Sequence, residues 1–176
     1  MYPIIRLSVS LLHARRQEKL PFDAVHESTH RIMPWDIDIF GELNNGLTLT
    51  ILDLNRLPFG QRVNWNQALL KNGWSMTMAG VSVRYRQRIR MFDKVRITCR
   101  AAGRDERFFY LVQTIWRGDV AATNALYRSA VTDKNGLVPT QKVAEAMNAP
   151  DWNPDLPDWV QAWIDAEASR TWPPES

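Results

Sequence analysis

The sequence has a single cysteine, Cys99, and only three histidines among 176 residues. One cysteine forms no intramolecular disulfide and no cysteine-based zinc site, so we expect a protein of a reducing compartment, the cytoplasm. His13, His26 and His30 lack the HExxH spacing of a helical zinc site. The sequence therefore predicts neither a metal centre nor a redox cofactor.

Long apolar runs are also absent, since no stretch reaches the roughly 20 residues that cross a bilayer. The apolar residues 1–12 are interrupted by Arg6, and a basic cluster at residues 15–19 follows them, the reverse of a secretory signal. We interpret residues 1–23 as an N-terminal amphipathic helix that packs on the domain. Contact with a membrane surface or a partner is the alternative.

The charge imbalance is small, with 22 basic and 19 acidic residues and a net charge of +3. A hydrophobic fraction of 45% is ordinary for a globular protein and excludes a disordered chain. Such a surface permits an anionic ligand without requiring a nucleic acid, and we expect no nucleic-acid partner. The length fits one domain with short extensions.

The first half of the sequence predicts a strand over residues 24–33, ended by Pro34, and a structured loop over 35–46. Apolar residues at helical spacing follow from Leu47 to Arg56. We expect Pro58 and Gly60 to bend or break this helix, with a second helix over 62–71.

The second half alternates with a period of two over about four segments, near 81–85, 94–102, 107–117 and 120–132, and predicts an antiparallel meander. Helices are expected at 140–147, capped by Thr140, and at 158–168. The fold class is α+β: residues 24–148 form an antiparallel sheet wrapped around a central helix. Residues 149–176, rich in tryptophan and proline, form a helical tail that covers the chain's own surface or a partner subunit.

The loop carries the pattern Asp36-x-Asp38-x-x-Gly41-x-x-Asn44-Asn45 just before the predicted helix. This pattern resembles the hot-dog fold acyl-CoA thioesterases of the 4-hydroxybenzoyl-CoA thioesterase type, whose signature joins an aspartate, a glycine three residues later and an Asn-Asn pair. Residues 80–85 and the following Asp93 also look like the second strand and turn of that family. The resemblance covers about residues 27–148.

The resemblance implies a hot-dog fold, a coenzyme A thioester as substrate without any other cofactor, and a homodimer or homotetramer with active sites between subunits. It assigns Asp38 as nucleophile or general base and the backbones of Asn45 and Gly46 as oxyanion donors. Free N–H groups at a helix start suit that role. The possible auxiliary residues are Glu42, Asn44, Thr48 and Asp53.

Structural roles are the alternatives for the same residues. Asp36 and Asp38 are also typical turn formers, the asparagines are typical helix caps, and Asp53 can pair with Arg56. Glu42 and Thr48 stand where many relatives have histidine and tyrosine. The alternative function is therefore a hot-dog module that binds acyl thioesters or a protein partner without turnover.

Four arginines, at positions 84, 86, 88 and 90, alternate without a break. On one extended strand they share a face, and guanidinium groups suit phosphate recognition. We therefore expect Arg84, Arg86 and Arg88 to bind the phosphates of coenzyme A. An exposed sheet face or a subunit contact is the alternative.

Overall fold

The computed structural model describes residues 2–171 and Pro173. The helices of this part are α1 (Ile4–Arg16), α2 (Asn45–Arg62), α3 (Trp65–Asn72), α4 (Thr140–Ala146) and α5 (Asp158–Ala168). The strands are β1 (His26–Arg31), β2 (Ser75–Tyr85), β3 (Lys94–Arg104), β4 (Phe109–Arg117), β5 (Val120–Asp133) and β6 (Gly136–Leu137). The loop between β1 and α2 begins with a 3-10 turn, Pro34–Asp36.

All strands join one antiparallel sheet in the order β1-β3-β4-β5-β2, and β6 pairs with the C-terminal end of β5. The predicted meander is confirmed for β3, β4 and β5. It is wrong for β2, which pairs with β5, while β1 takes the place beside β3. The strand before the long helix and the strand after it thus become the two edges of the sheet.

Helix α2 fills the concave side of this sheet, where Ile51, Leu52, Leu54 and Phe59 are fully buried. Of the predicted bend or break at Pro58 and Gly60, the break is wrong, since α2 continues to Arg62. Proline removes one backbone hydrogen bond, but this segment is buried, and the burial offsets the loss.

Close packing explains the glycine in α2. A Cβ atom on Gly60 would lie 2.7 Å from the side-chain oxygen of Asn66, so a larger residue at position 60 would force the Asn66 side chain at the start of α3 to move. The chain instead breaks at Asn64, whose φ of 62° is in the left-handed region. The interruption between the two predicted helices is therefore real, but it falls four residues later than Gly60.

Helix α1 packs on the domain, as one of the two interpretations predicts. Leu7 contacts the main core, whereas Ile5, Val9 and Leu12 stay exposed. Within the described residues, no helix combines the length and the apolar character needed to cross a bilayer.

Helix α5 is present with its predicted bounds and covers the outer face of the chain's own sheet. Val160 is buried among Tyr110, Val112 and Leu126 in a cluster separate from the main core. A Cβ atom on Gly103 would lie 2.5 Å from Leu156 Cδ2, so the lack of a side chain at this position of β3 lets the segment before α5 pack closely against the sheet.

Helix α4 shows a smaller difference from the sequence prediction. Thr140 is not its N-cap, because Pro139 holds that position and the Thr140 hydroxyl donates to the backbone oxygen of Asp105.

Candidate functional site

Asp36 anchors the loop that precedes α2. Its buried carboxylate accepts hydrogen bonds from Arg6 Nη1 at 2.8 Å and from the Met33 backbone N–H at 2.9 Å. Its backbone oxygen accepts from the Asn44 N–H at 2.9 Å. Asp36 therefore ties α1, the end of β1 and the start of α2 together, which is a structural role.

Asp38 lies in a tight turn of the same loop and is half-buried. Its Oδ1 accepts from the Phe40 N–H at 2.8 Å and, more weakly, from the Glu42 N–H at 3.4 Å. The Asp38 N–H donates to the Glu42 oxygen at 2.9 Å. The turn fixes the orientation of the carboxylate, and Oδ2 makes no hydrogen bond to the described part of the chain.

Asn44 caps α2, as its structural alternative predicts. Its Oδ1 accepts from the N–H groups of Gly46 at 2.9 Å and Leu47 at 3.2 Å. Thr48 is buried, and its hydroxyl donates to the Asn44 backbone oxygen at 3.1 Å. The Gly46 amide is thus already engaged, whereas the backbone N–H of Asn45, an exposed residue, has no partner among the described residues.

A cleft of about 240 Å³ lies between the start of α2 and the segment that follows β2. It brings together five of the residues singled out from the sequence: Glu42, Asn45, Thr48, Arg86 and Arg88. Glu42 Oε2 lies 3.3 Å from Arg88 Nε, in an ion pair at the cleft surface. Asp38 does not line the cleft but is hydrogen-bonded to Glu42 at its edge.

The predicted face of four arginines is wrong. Strand β2 ends at Tyr85, and the N–H groups of Arg86 and Gln87 both donate to the Ala122 oxygen, so the chain turns there. Ile89 is buried, and its oxygen accepts from the Leu43 N–H at 2.8 Å. Burial of Ile89 bends the segment toward the core, and only Arg86 and Arg88 reach the cleft.

Asp53 lies outside the cleft and forms an ion pair with Arg56, the structural role that the sequence also allowed. Its carboxylate accepts from Arg56 and, at 3.1 Å, from the Tyr2 hydroxyl. The buried Arg56 also donates to Gln113 Oε1 at 3.1 Å and stacks 4.0 Å from the centre of the Tyr127 ring. These contacts give Asp53 a place in a buried polar network.

Sequence reasoning missed this network and a larger cavity between α1 and β1. Asn55 and Arg56 on the buried side of α2 were the available signal for the network. For the cavity, the signal was the alternation of His26, Ser28 and His30 along β1, which places all three on one face of the strand.

Comparison with known proteins identifies relatives of this architecture. The family model of the thioesterase-like superfamily matches residues 32–164. Protein THEM6 of Xenopus laevis is 28% identical over 164 residues, which cover 91% of this chain and 77% of that protein.

Solved structures show the same fold at low sequence identity. The YbaW probable thioesterase of Escherichia coli has a TM-score of 0.66 at 16% identity, covering 70% of this chain and 97% of that one. The hypothetical protein SAV2348 of Staphylococcus aureus, solved in complex with CoA, has a TM-score of 0.60 at 9% identity, covering 81% and 96%. The predicted hot-dog fold, a curved antiparallel sheet around a helix, is confirmed.

Proposed function

This chain belongs to the thioesterase-like superfamily, and from that premise we propose that it hydrolyses acyl-CoA thioesters at the cleft in front of α2. The observation that carries the proposal is the convergence of a helix start, the Glu42 carboxylate and two arginines at one cleft, with Asp38 hydrogen-bonded to Glu42 at its edge. Thioester hydrolysis needs an oxygen nucleophile, donors for the developing oxyanion and a site for the thiol carrier. The cleft, together with Asp38 at its edge, offers a group for each role.

Asp38 is the nucleophile or general base of this proposal. As a base, its Oδ2 takes a proton from water, the water oxygen bonds to the acyl carbon, and the C–S bond breaks as the thiolate takes a proton. As a nucleophile, Oδ2 bonds to the acyl carbon, the C–S bond breaks and the departing thiolate takes a proton from solvent; water then hydrolyses the acyl anhydride, which releases the carboxylic acid and restores the Asp38 carboxylate. The hydrogen bonds that hold Oδ1 support either role by fixing the carboxylate.

The oxyanion donor of the proposal is the Asn45 N–H, and Gly46 contributes only if its bond to Asn44 opens. Arg86 and Arg88 bind the phosphates of coenzyme A, and Glu42 positions Arg88 through their ion pair. Thr48 shapes the cleft floor, Arg84 contributes only long-range charge from β2, and Asp53 stabilises the helix.

The proposal includes a homodimer with the site near the subunit boundary; a homotetramer is the other assembly considered. Beside Asp38, the side chains of Ile39 and Phe40 are 93% and 77% exposed. Large apolar side chains at such exposure favour a partner surface. We also propose that the protein is cytoplasmic. Its cysteine, Cys99, is a buried free thiol, which is compatible with a reducing compartment. The proposal further includes contact with a membrane surface, which the exposed apolar residues of α1 support.

The test is thiol release by the purified chain from a panel of aliphatic and aryl acyl-CoA esters, with binding of each ester measured in parallel. We expect turnover of at least one ester. Tight binding without release of thiol would favour the alternative, a non-catalytic binding module. Absence of both binding and release would contradict both functions.

A further inference from the structure

A second cavity, of about 720 Å³, lies between α1 and β1. At one end, Arg6 of α1 donates to the Arg31 backbone oxygen of β1 at 3.0 Å. At the other end, Arg62 donates to the oxygen of Glu18, just after α1, and to His26 Nδ1, at the start of β1. Helix and strand therefore run side by side in opposite directions. Most residues around the cavity lie N-terminal to the segment that the family model matches.

Strand β1 is an edge of the sheet, since β3 is its partner in the described chain. The residue after β1, Ile32, exchanges backbone hydrogen bonds of 3.0 and 2.8 Å with the residues just before β3. Along an antiparallel strand, residues that bond to the partner alternate with residues whose N–H and C=O point away. Counted back from Ile32, the backbones of Arg31, Thr29 and Glu27 point away from β3, toward the cavity that these residues line. The bond from Arg6 to the Arg31 oxygen agrees with this alternation.

The backbone groups of Glu27 and Thr29 are unpaired, since no hydrogen bond of the described chain engages their N–H or C=O. Both residues are exposed. Such groups recur at every second residue of a strand, about 7 Å apart, with one donor and one acceptor each. The backbone of another extended chain has the same spacing and can bond to them. A purely aliphatic ligand would displace water from these groups without replacing its hydrogen bonds.

The length of the cavity corresponds to a short strand. Its lining residues on α1 run from Ile5 to Gln17, a distance of about 18 Å at the rise of an α-helix. Strand β1 has six residues and is about 17 Å long. An extended segment of about five residues therefore matches the cavity, with its backbone along β1 and its other edge toward α1.

A second copy of this chain does not suit the cavity. Paired strands lie about 4.8 Å apart. In a second copy, β1 again has α1 beside it, so two β1 edges cannot come that close without a collision of their helices. The occupant must be a segment that has no helix along its edge.

The side chains of an added strand would alternate between the two faces of the sheet. On the concave face they meet Leu54 and Pro58 of α2, both buried, which favours apolar residues. On the outer face they meet Glu27 and Arg31. Glu27 pairs with Arg96 at 2.9 Å, whereas Arg31 forms no ion pair with an acidic residue of the described chain. Arg31 therefore favours an acidic residue in the occupant.

The side chains of β1 on the concave face are already bonded to the protein. His26 accepts from Arg62 at 3.0 Å, and Asn55 Nδ2 donates to Ser28 Oγ at 2.8 Å, which leaves the Ser28 hydroxyl to donate to His30 at 2.9 Å. Burial, with an arginine near each ring, lowers the pKa of His26 and of His30 to about 4. Both rings are therefore neutral at pH 7 and add no positive charge to the cavity.

We propose that the cavity between α1 and β1 binds an extended peptide segment of about five residues as an added strand on β1. The segment bonds through its backbone to Glu27 and Thr29, carries apolar side chains toward α2 and places an acidic side chain near Arg31. This site does not depend on the proposed thioesterase activity.

Calorimetric titration of the full chain with capped pentapeptides tests the proposal. The parent probe is acetyl-Glu-Val-Thr-Val-Glu-amide, which presents an acidic residue at the Arg31 end in either direction. We expect it to bind, and the same peptide with lysine for both glutamates to bind at least tenfold more weakly. Equal binding of the lysine peptide, or no binding of the parent at millimolar concentration, would overturn the proposal. Binding of octanoate without binding of the parent would assign the cavity to an aliphatic anion and also overturn it.

Two N-methylated isomers of the parent test the backbone hydrogen bonds. One is methylated at the central threonine and the other at the valine that follows it. An added strand turns every second N–H toward β1, so one isomer should lose at least tenfold in affinity while the other keeps it. Equal affinity of the two isomers would overturn the added strand.

Variants at the middle of β1 locate the binding. The Thr29 N–H faces the cavity, so Thr29→Pro removes this donor without removing a hydrogen bond of the sheet. We expect Thr29→Pro to weaken binding of the parent peptide at least tenfold, and Thr29→Val, which keeps the N–H, to retain it. Wild-type affinity in Thr29→Pro would overturn the proposal. Loss of self-association in Thr29→Pro would assign the β1 edge to a second copy and also overturn it.

A variant of α1 keeps the proposal testable even if Thr29→Pro does not fold. Ser10 lines the cavity, whereas Ser8 is exposed and does not, so Ser10→Phe fills the site and Ser8→Phe is its matched control. We expect Ser10→Phe to weaken peptide binding at least tenfold and Ser8→Phe to leave it unchanged. Peptide binding that survives Ser10→Phe would place the peptide elsewhere and overturn the proposal.

Discussion

Asp36 and Asp38 are two residues apart but have different environments. Asp36 is 4% exposed, and its carboxylate accepts hydrogen bonds from Arg6 and the Met33 N–H. In Asp38 one carboxylate oxygen, Oδ2, accepts no hydrogen bond from the described chain, while Oδ1 accepts from the Phe40 N–H. We therefore expect Asp38→Asn to reduce kcat for acyl-CoA by about 10² to 10⁴-fold, because a positioned base is lost. Asp36→Asn should retain most of kcat and lower the free energy of unfolding by about 1–3 kcal/mol.

Steady-state kinetics and urea denaturation of both variants check this difference, after both are shown to be folded and of the same oligomeric state. Glu42→Gln is the third member of the set, because it breaks the pair with Arg88 but keeps the size of the side chain. A wild-type kcat in Asp38→Asn would contradict the mechanism. A loss of kcat in Glu42→Gln alone would assign the role of general base to Glu42 instead.

Arg86 and Arg88 line the cleft, and Arg90, from the same run, does not. Contacts to phosphates far from the acyl carbon stabilise the ground state and the transition state equally, so their loss raises KM and spares kcat. We expect Arg86→Ala and Arg88→Ala to raise KM several-fold, less so at high salt. Arg90→Ala is the control. An equal KM in all three variants and the wild type would leave these arginines as ordinary surface residues.

His26 makes the stability of the fold depend on pH. Its pKa is lowered to about 4 in the folded chain against about 6.5 when unfolded, so between these values the unfolded chain binds one more proton. The free energy of unfolding therefore falls as the pH is lowered through this range. The expected loss from this group at pH 5 is about 2 kcal/mol relative to neutral pH.

Urea denaturation at pH 7.5 and pH 5 measures this dependence in the wild type and in His26→Asn, whose Oδ1 can still accept from Arg62. The variant starts less stable but should lose about 2 kcal/mol less on acidification. The same loss in both proteins would show that other groups cause the acid sensitivity.

At the scale of secondary-structure elements, α5 offers two tryptophans that differ in burial. Trp163 packs on the outer face of the sheet, where Arg128 lies between it and Phe108, and a Cβ atom on Gly80 would come within 3.2 Å of it. Trp159, one turn earlier, is 48% exposed.

Trp163→Ala should lower the free energy of unfolding by about 2 kcal/mol and increase binding of a hydrophobic dye, because Tyr110, Val112 and Leu126 lose their cover. Trp159→Ala should change stability by less than about 0.5–1 kcal/mol. Thermal or urea unfolding of the two variants makes the comparison. Equal destabilisation would mean that α5 does not hold the sheet face as the structure shows.

The same elements show how far the sequence alone reaches. The helix at residues 158–168 and the hairpins of β3, β4 and β5 were predictable, because each follows from local periodicity and turn residues. Local patterns did not predict that α2 continues through Pro58 or that Ile89 ends the arginine alternation, since both follow from burial in the core. The engagement of the Gly46 amide by Asn44 is likewise visible only in three dimensions.

At the scale of the whole molecule, the two edges of the sheet differ. The β1 edge has α1 beside it across the large cavity. Strand β2, eleven residues long, is bonded to β5 on one side, and on both of its faces most of its residues are exposed. A long bare edge strand is a template for pairing with another chain unless it is protected. Together with the exposed Ile39 and Phe40, this edge favours a dimer that extends the sheet.

Val81 lies near the middle of this edge and Val120 at the β4–β5 hairpin, with exposures of 38% and 48%. If the dimer forms through β2, Val81→Lys brings one lysine from each subunit close to the other, and the two positive charges repel. Lysine on an edge strand also disfavours pairing with another strand. Val81→Lys should therefore weaken dimerisation about tenfold or more. Val120→Lys should not. Sedimentation over a dilution series measures the dimer constant, and acyl-CoA hydrolysis per chain, followed over the same dilutions, reports whether the site needs the partner. A wild-type chain that stays monomeric at every concentration with full kcat would contradict both the β2 interface and an active site at the subunit boundary.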